Sequence, residues 1–462
     1  MKENTNELRK NTLIIAIASM GSKMITFILG PIYSYLLSTE EYGKMDLIVT
    51  TASLLLPFIC FDIYEATFRF SCDKQYDKKK IFSTSICFSL FGVAILGVIS
   101  AVVLLAFDGM TKLWLCVAIC SLLDAIITII IQFGRGIGKM KVYAFSGVVN
   151  AAILLASNVV LMVMLKYGLY GWIISYIAAK VGVLVYVFCA IKAYSYFSFR
   201  DFDANYAKIF LKFCIPLLPT ALMWWIMNAS DRYVLALVIG PTATGLYAVA
   251  NKLPNVLSSF ENVFYQAWQT TAIKTLSDED KDEYYSNILR GYIIVIVMAI
   301  ICILLVVKPF IYYLYAEDYK TSWLSIPILL VAVLIHAING NLGSLYSVFK
   351  QTKGAFFSAL LGAGVNIILN LIFVRKYALI GASITTLIGY LCTMIWRIID
   401  TRKFVKLSVI KMDTVIAFVI LVVQFVLAYL NYAWSYALRT VIIAVFLYLN
   451  KDMFLGIIKV KK

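Results

Sequence analysis

The stretch KLPNVLSSFENVFYQ, Lys252 to Gln266, puts a lysine, two asparagines, two serines, a glutamate and a glutamine inside an apolar run that begins near Ala243. Lys252, Asn255, Ser259, Asn262 and Gln266 follow one another at intervals of 3, 4, 3 and 4 residues. That spacing predicts a helix whose polar groups form one stripe along one face. A lysine at the centre of a membrane helix costs roughly 2.5 to 3.5 kcal/mol or more, and intramembrane polar groups face an interior or a water-filled cavity. The stripe is therefore predicted to line such a cavity. Its plainer alternative is helix-to-helix hydrogen bonding, since polar side chains also join membrane helices. Pro254 lacks a backbone donor and predicts a kink in the same helix.

The surrounding chain makes a membrane setting unavoidable. Of 462 residues, 62% are hydrophobic and 14% charged, and the mean hydropathy is +0.88. Soluble domains carry about 25% charge. Apolar runs of about 20 residues, enough to cross roughly 30 Å of hydrocarbon, recur throughout. Fourteen helices are predicted, at about 12–37, 45–68, 81–107, 112–133, 142–165, 169–190, 213–239, 243–268, 289–310, 324–347, 355–374, 377–398, 413–431 and 436–456. The charged start MKENTNELRKNTL precedes an apolar run too long for a signal-peptide core and without an A-x-A site, so the first helix is expected to persist.

Assigning an inner N terminus gathers 29 of the 41 Lys and Arg on the inner side, against 8 in outer loops. The positive-inside rule thus predicts cytoplasmic termini and an even helix count. Inner loops facing anionic lipid account for the +16 charge without nucleic acid. The nine cysteines lie almost wholly in apolar segments with no metal spacing, and read as small hydrophobes.

Two pairs of segments suggest an internal repeat. KYGLYG (166–171) matches KYALIG (376–381), and LLSTEEYG (36–43) matches VIGPTATG (238–245), at offsets of 210 and 202 residues. Six helices per repeat preserve orientation, so the halves are predicted to be parallel. The expected division is 1–205, 206–405 and 406–462: two six-helix lobes and two additional helices, with a substrate site between the repeats.

Other charges are predicted at membrane depth: Lys23 in the first helix, Asp124 in the fourth, Lys180 in the sixth, and Asp231 and Arg232 in the seventh. Lys23 and Lys180 read either as ligands for an anionic group or as structural lysines paired with a carboxylate such as Asp124. Asp62, Glu65 and Arg69, spaced 3 and 4, read as one inner face of the second helix, a gate or an interfacial anchor. Arg232 reads as pairing with Asp231 or reaching the outer interface, and His336, the sole histidine, as a packing residue or proton relay. Asp62, Glu65, Asp124, Asp231 and Glu261 are candidates for ion coupling, with H+ and Na+ both open; no cofactor, metal or catalytic residue is expected. Central lysines suit phosphate.

Against this background, PLLPTALMWWIMNASDRYVLALVIGPTATGLYAVANKLP (216–254), ILGPIYSYLLSTEEYG (28–43) and YLYAEDYKTSW (313–323) resemble the Wzx-type polysaccharide-transport flippases of the MATE-like superfamily. The resemblance spans essentially the whole chain. It implies a MATE-like all-α membrane fold and a bacterial inner-membrane protein that is not an enzyme. Such a protein flips undecaprenyl-pyrophosphate-linked oligosaccharide units outward for capsule, O-antigen or exopolysaccharide assembly. It also implies pyrophosphate contacts from Lys252 and Lys23, then Lys180. Expected partners are the lipid-linked substrate, membrane lipids and a glycan polymerase with its chain-length machinery, around a monomer. Flippases of the peptidoglycan precursor have a more arginine-rich cavity, whereas the first helix here offers only Lys23. Two other classes stay open: a drug or cation exporter of the superfamily, expected to have twelve helices and a carboxylate-dominated cavity, and a membrane glycan polymerase. No Walker motif is present to drive transport by ATP.

Overall fold

Ser38 sets the start of the first fully capped helix: its hydroxyl accepts the Glu41 N–H at 3.2 Å while the Glu41 carboxylate accepts the Ser38 N–H at 3.0 Å. This capping box satisfies two donors that helix geometry leaves unpaired. The computed structural model describes residues 21–451 apart from 74, 107–110, 217, 275–280, 350–351 and 431. Side chains at 103–106, 111–112, 262–263, 266–274, 281, 347–348, 352 and 433 also lie outside the described set. Among the described residues regular structure is entirely helical.

The chain divides into two compact units, residues 1–222 and 223–462. The first contains α1 (21–36), α2 (Thr39–Cys60), α3 (Ile63–Ser71), α4 (Lys78–Ala106), α5 (Thr111–Gly136), α6 (Met140–Asn158), α7 (Gly168–Ile191) and α8 (Ala204–Cys214). Its core lies around α5, where Ile129, Ile130 and Phe133 are buried with Phe82 of α4 and Val187 of α7. Where α4 crosses α2, a Cβ on Gly92 would stand 1.9 Å from the Ile59 carbonyl oxygen, so only glycine permits the approach.

α9 (Leu218–Val238) leads into the second unit, which continues with α10 (Pro241–Ala250), α11 (Lys252–Lys274), α12 (Lys281–Leu314), α13 (Ile326–Val348), α14 (Thr352–Thr401), α15 (Met412–Tyr429) and α16 (Ala433–Leu449). α13 is its centre and packs against α11, α12 and α14.

Nine helices among the described residues are long and apolar enough to cross a membrane, or ten if the bent α8–α9 pair counts as one span. Side chains such as Val98, Ile368, Ile372, Ile399 and Val422 are exposed. Aliphatic surface of this extent needs hydrocarbon around it, and the fold is that of a multi-pass membrane protein.

Several predicted spans are broken. The second, at 45–68, divides into α2 and α3 because Phe61 and Asp62 both take left-handed backbone, with φ of 48° and 54°. Asp62 therefore leaves the helical register, and the single face assigned to Asp62, Glu65 and Arg69 does not form. The eighth divides into α10 and α11 at Asn251, one residue past the carbonyl that the Pro254 ring crowds. The seventh is preceded by α8, the two meeting at Pro216 and Pro219. α14 holds the eleventh and twelfth spans, joined at Ala378 with φ 45° and ψ −122°.

Candidate functional site

Asp231, on α9, anchors a polar cluster of the second unit. Its side chain is buried, with Oδ1 accepting from Asn366 Nδ2 at 3.2 Å and from Asn370 Nδ2. Oδ2 accepts from the Tyr247 hydroxyl at 2.8 Å and from the Thr386 hydroxyl. Asn366 and Asn370 are held in turn: Ser230 donates to Asn366 Oδ1 at 2.8 Å and Thr385 to Asn370 Oδ1 at 2.7 Å. Four neutral donors thus balance one buried carboxylate, the arrangement that makes such a group tolerable in low dielectric. Arg232, one residue on, donates from Nη1 to the Asn228 carbonyl at 2.8 Å.

A second chain of contacts begins one helical turn earlier on α9. Asn228 is exposed and accepts the Tyr390 hydroxyl at 2.6 Å. The Tyr390 ring stands edge-on to His336 with centroids 5.1 Å apart, and Trp224 meets His336 edge-on at 5.5 Å. His336 Nδ1 lies 3.0 and 3.1 Å from the two oxygens of Glu261, which α11 presents to α13. With Glu261 ionised, Nδ1 carries the shared hydrogen. Behind this pair Arg397 is buried: Nε donates to Ser358 Oγ at 2.9 Å and Nη1 to the Asn339 carbonyl at 2.6 Å. Its guanidinium lies 5.2 Å from the Trp224 ring centre. The positive-inside count places Arg397 on the inner side at the end of the predicted twelfth span; in the structure it is buried inside α14, paired with carbonyl, hydroxyl and ring faces.

Along the α11 stripe, Asn255 is exposed, and Lys252 and Ser259 are half-buried. Ser259 Oγ donates back to the Asn255 carbonyl at 2.8 Å, so its hydrogen is already used. The side chains of Asn262 and Gln266 lie outside the described residues.

In the first unit Lys180 of α7 forms an ion pair with Asp124 of α5, its ammonium 5.1 Å from the Tyr176 ring centre. Trp172 stacks on Tyr176 at 5.0 Å. The structural pairing that the sequence offers for Lys180 is therefore present in this conformation. Lys23 is exposed on α1. Asp62 is buried at the α2–α3 break, one carboxylate oxygen without a hydrogen-bond partner among the described residues, while Glu65 and Arg69 are exposed on α3. Among the described residues no three His, Cys, Asp or Glu gather to hold a metal.

Sequence reasoning missed Asn366, Asn370, Thr385 and Thr386 as partners of Asp231, and it named Glu261 and His336 without joining them. The asparagines stand four apart in an apolar run, a signal of the same kind as the α11 stripe.

This architecture and sequence have relatives. An uncharacterized membrane protein of Methanocaldococcus jannaschii is 22% identical over 399 residues, covering 82% of this chain and 94% of that protein. Among solved structures, the lipid II flippase MurJ in an inward closed conformation is similar with a TM-score of 0.65 at 15% identity, covering 96% of this chain and 98% of that one. A mutant of the Vibrio cholerae MATE transporter VcmN gives 0.59 at 13% identity over 86% of this chain and 97% of that one. These likenesses establish a MATE-like fold. A family model described as polysaccharide biosynthesis protein matches residues 8–269. With more than half its length matched, the chain belongs to the polysaccharide biosynthesis protein family.

Proposed function

We propose that the protein is a flippase that carries undecaprenyl-pyrophosphate-linked oligosaccharide units from the inner to the outer leaflet of a bacterial cytoplasmic membrane by alternating access. The units would serve capsule, O-antigen or other exopolysaccharide assembly. The observation that carries the reading is α11: a helix of a multi-pass polysaccharide biosynthesis protein that keeps Lys252, Asn255 and Ser259 on one polar face, Asn255 exposed. Polar groups at that depth are stable against water rather than lipid, and a lipid-linked glycan supplies both a phosphate for lysine and hydroxyls for amides. The MurJ and MATE likenesses support a transporter fold.

In this reading Lys252 and Lys23 hold the pyrophosphate. Lys180 joins them only by exchanging Asp124 for phosphate. Asp231 and the Glu261–His336 pair are the coupling groups, and Asp62, Glu65, Arg69, Asp124 and Arg232 act in gating. The lobes correspond to the predicted halves 1–205 and 206–405, followed by 406–462; both termini are cytoplasmic, the protein acts as a monomer, and the polymerase receives the product. Outward movement of each negative charge gains about 2.3 kcal/mol per 100 mV of inside-negative potential.

The test is leaflet-resolved measurement of lipid-linked glycan in a deletion strain with a membrane-impermeant glycan-modifying reagent. Units trapped on the inner leaflet, released by wild type but not by Lys252→Gln at equal protein level, are the expected result. Units that reach the outer leaflet unpolymerised point to a polymerase, and normal glycan with altered drug tolerance points to an exporter. Either outcome overturns the reading.

A further inference from the structure

On the first unit, the α4, α5 and α7 helices and the segment after α7 enclose a groove of about 430 Å³ whose lining, including Phe82, Ile86, Leu90, Leu184, Phe188 and Phe199, is apolar. Such walls offer a headgroup or water no strong hydrogen bond, so hydrocarbon is the filling they favour. On α4 the wall runs Phe82, Ile86, Leu90, one face at intervals of four, and spans about 12 Å along the axis. Lys79, three residues before Phe82, continues that face at the helix start and is exposed.

The other elements also end in cations on this side. Lys192 caps α7 three residues past Cys189 of the lining, in left-handed backbone with φ 58°. Arg200 follows Phe199 directly, and both Lys192 and Arg200 are exposed. None of the three is ion-paired among the described residues. The nearby acids are mostly engaged: Asp203 pairs with Lys80 at 3.0 Å, and Asp77 Oδ1 accepts the Lys79 N–H at 2.8 Å. Asp201 follows Arg200 directly in the sequence and forms no ion pair among the described residues. Tyr194, Phe199 and Phe202 are exposed on the same short segment, the aromatic composition of a membrane–water boundary.

We propose that this groove is a binding site for an anionic phospholipid, an acyl chain lying against Phe82, Ile86 and Leu90 and the phosphate held by Lys79, Lys192 and Arg200. Basic pockets between helices on the cytoplasmic side bind lipid phosphates in this manner. The leaflet follows from the positive-inside orientation; the site itself is independent of what the protein transports.

Native mass spectrometry of the full chain, delipidated in detergent and then titrated with phosphatidylglycerol or phosphatidylcholine, tests the assignment. The expected result is retention of one phosphatidylglycerol at least about tenfold better than phosphatidylcholine, the contrast that a preference of roughly 1.4 kcal/mol produces. The triple variant Lys79→Gln, Lys192→Gln, Arg200→Gln should lose that preference, and Leu184→Trp, which fills the groove, should lose retention of both lipids. Circular dichroism and thermal melting of each variant verify folding. Equal retention of the two lipids by wild type, or unchanged selectivity in a folded triple variant, overturns the proposal.

Discussion

At the scale of single residues, the structure separates charges that are satisfied from charges that are offered. Lys180 and Asp124 satisfy each other, with side chains 18% and 20% exposed. Removing one partner of a largely buried pair leaves an uncompensated charge, while replacing both with apolar groups is often neutral. Asp124→Leu is therefore expected to cost about 3 kcal/mol, and Asp124→Leu with Lys180→Met to recover most of it, measured by thermal melting in detergent. Glycan export restored by the double variant assigns the pair to structure; export lost at restored stability assigns Lys180 to the substrate. Asp231 answers a different question. Its Oδ2 accepts only from hydroxyls, and Thr386 has the Ala382 carbonyl 2.9 Å away as another acceptor. An asparagine with Nδ2 on that side can donate to the turned hydroxyl, so Asp231→Asn should lose under about 1 kcal/mol, whereas Asp231→Ala, which takes the acceptor from Tyr247 and Asn366 while Thr386 and Asn370 keep the Ala382 carbonyl and Asn366 Oδ1, should lose about 3. A stable Asp231→Asn protein that no longer exports glycan is the expected sign of a coupling role.

At the scale of elements, the breaks follow local backbone chemistry, and some repeat at the predicted offsets. Ser38 and Gly240, 202 residues apart, are both helix N-caps, for α2 and α10. Gly168 and Ala378, 210 apart, both take positive φ, 54° and 45°, where α7 opens and α14 turns. Alanine is strained there and glycine is not. Ala378→Gly is thus expected to stabilise the protein by about 1 kcal/mol, read as a raised melting temperature, unlike glycine at an ordinary helical position. Another junction is electrostatic. Asp203 caps α8 through the Asn205 N–H at 2.9 Å and pairs with Lys80 of α4. The Lys80 hydrogen bond, ahead of the backbone ones, lowers the Asp203 carboxyl from its ordinary value. A depressed folded-state value stabilises above the ordinary carboxylate pKa and loses that contribution as pH falls through the lowered one. Asp203→Asn should accordingly reduce the melting temperature at neutral pH, with the gap from wild type closing below about pH 4. The α10–α11 break near Pro254 and the helical face shared by Lys252, Asn255 and Ser259 are legible in the sequence because proline and a 3–4 spacing act locally. The α2–α3 break is not, since nothing in the sequence around Phe61 forbids a continued helix; nor is the Asp231 cluster, whose α14 donors come from 135 to 155 residues away.

At the scale of the whole molecule, the basic residues divide into those that orient the chain and those that the fold consumes. The positive-inside count takes Arg397 with the inner loops and Arg439 with the outer ones, yet both are buried within helices; Arg439 Nε donates to Gln424 Oε1 at 3.3 Å. One leaves each side of the count, so the inward bias persists. In the proposed orientation the segment around the α3–α4 connection, with Arg69, Lys74 and Lys78 to Lys80, faces the inner leaflet, whose anionic lipids attract it at about 1 kcal/mol per charge. Cys72 sits there, exposed at the end of α3; Cys189 and Cys302 are exposed as well but lie within the apolar spans α7 and α12, where an aqueous reagent does not reach, while Cys60, Cys120 and Cys214 are buried. A membrane-impermeant maleimide should therefore label wild type strongly in inverted vesicles and weakly in intact spheroplasts, with Cys72→Ser removing most of the difference. Labelling of Cys72 from outside reverses the orientation, and with it the leaflet that each basic loop faces. An inside-negative potential would still push the pyrophosphate outward, but the groove cations would then face the outer leaflet. The orientation of this one cysteine thus decides which leaflet both the proposed substrate lysines and the proposed lipid site address.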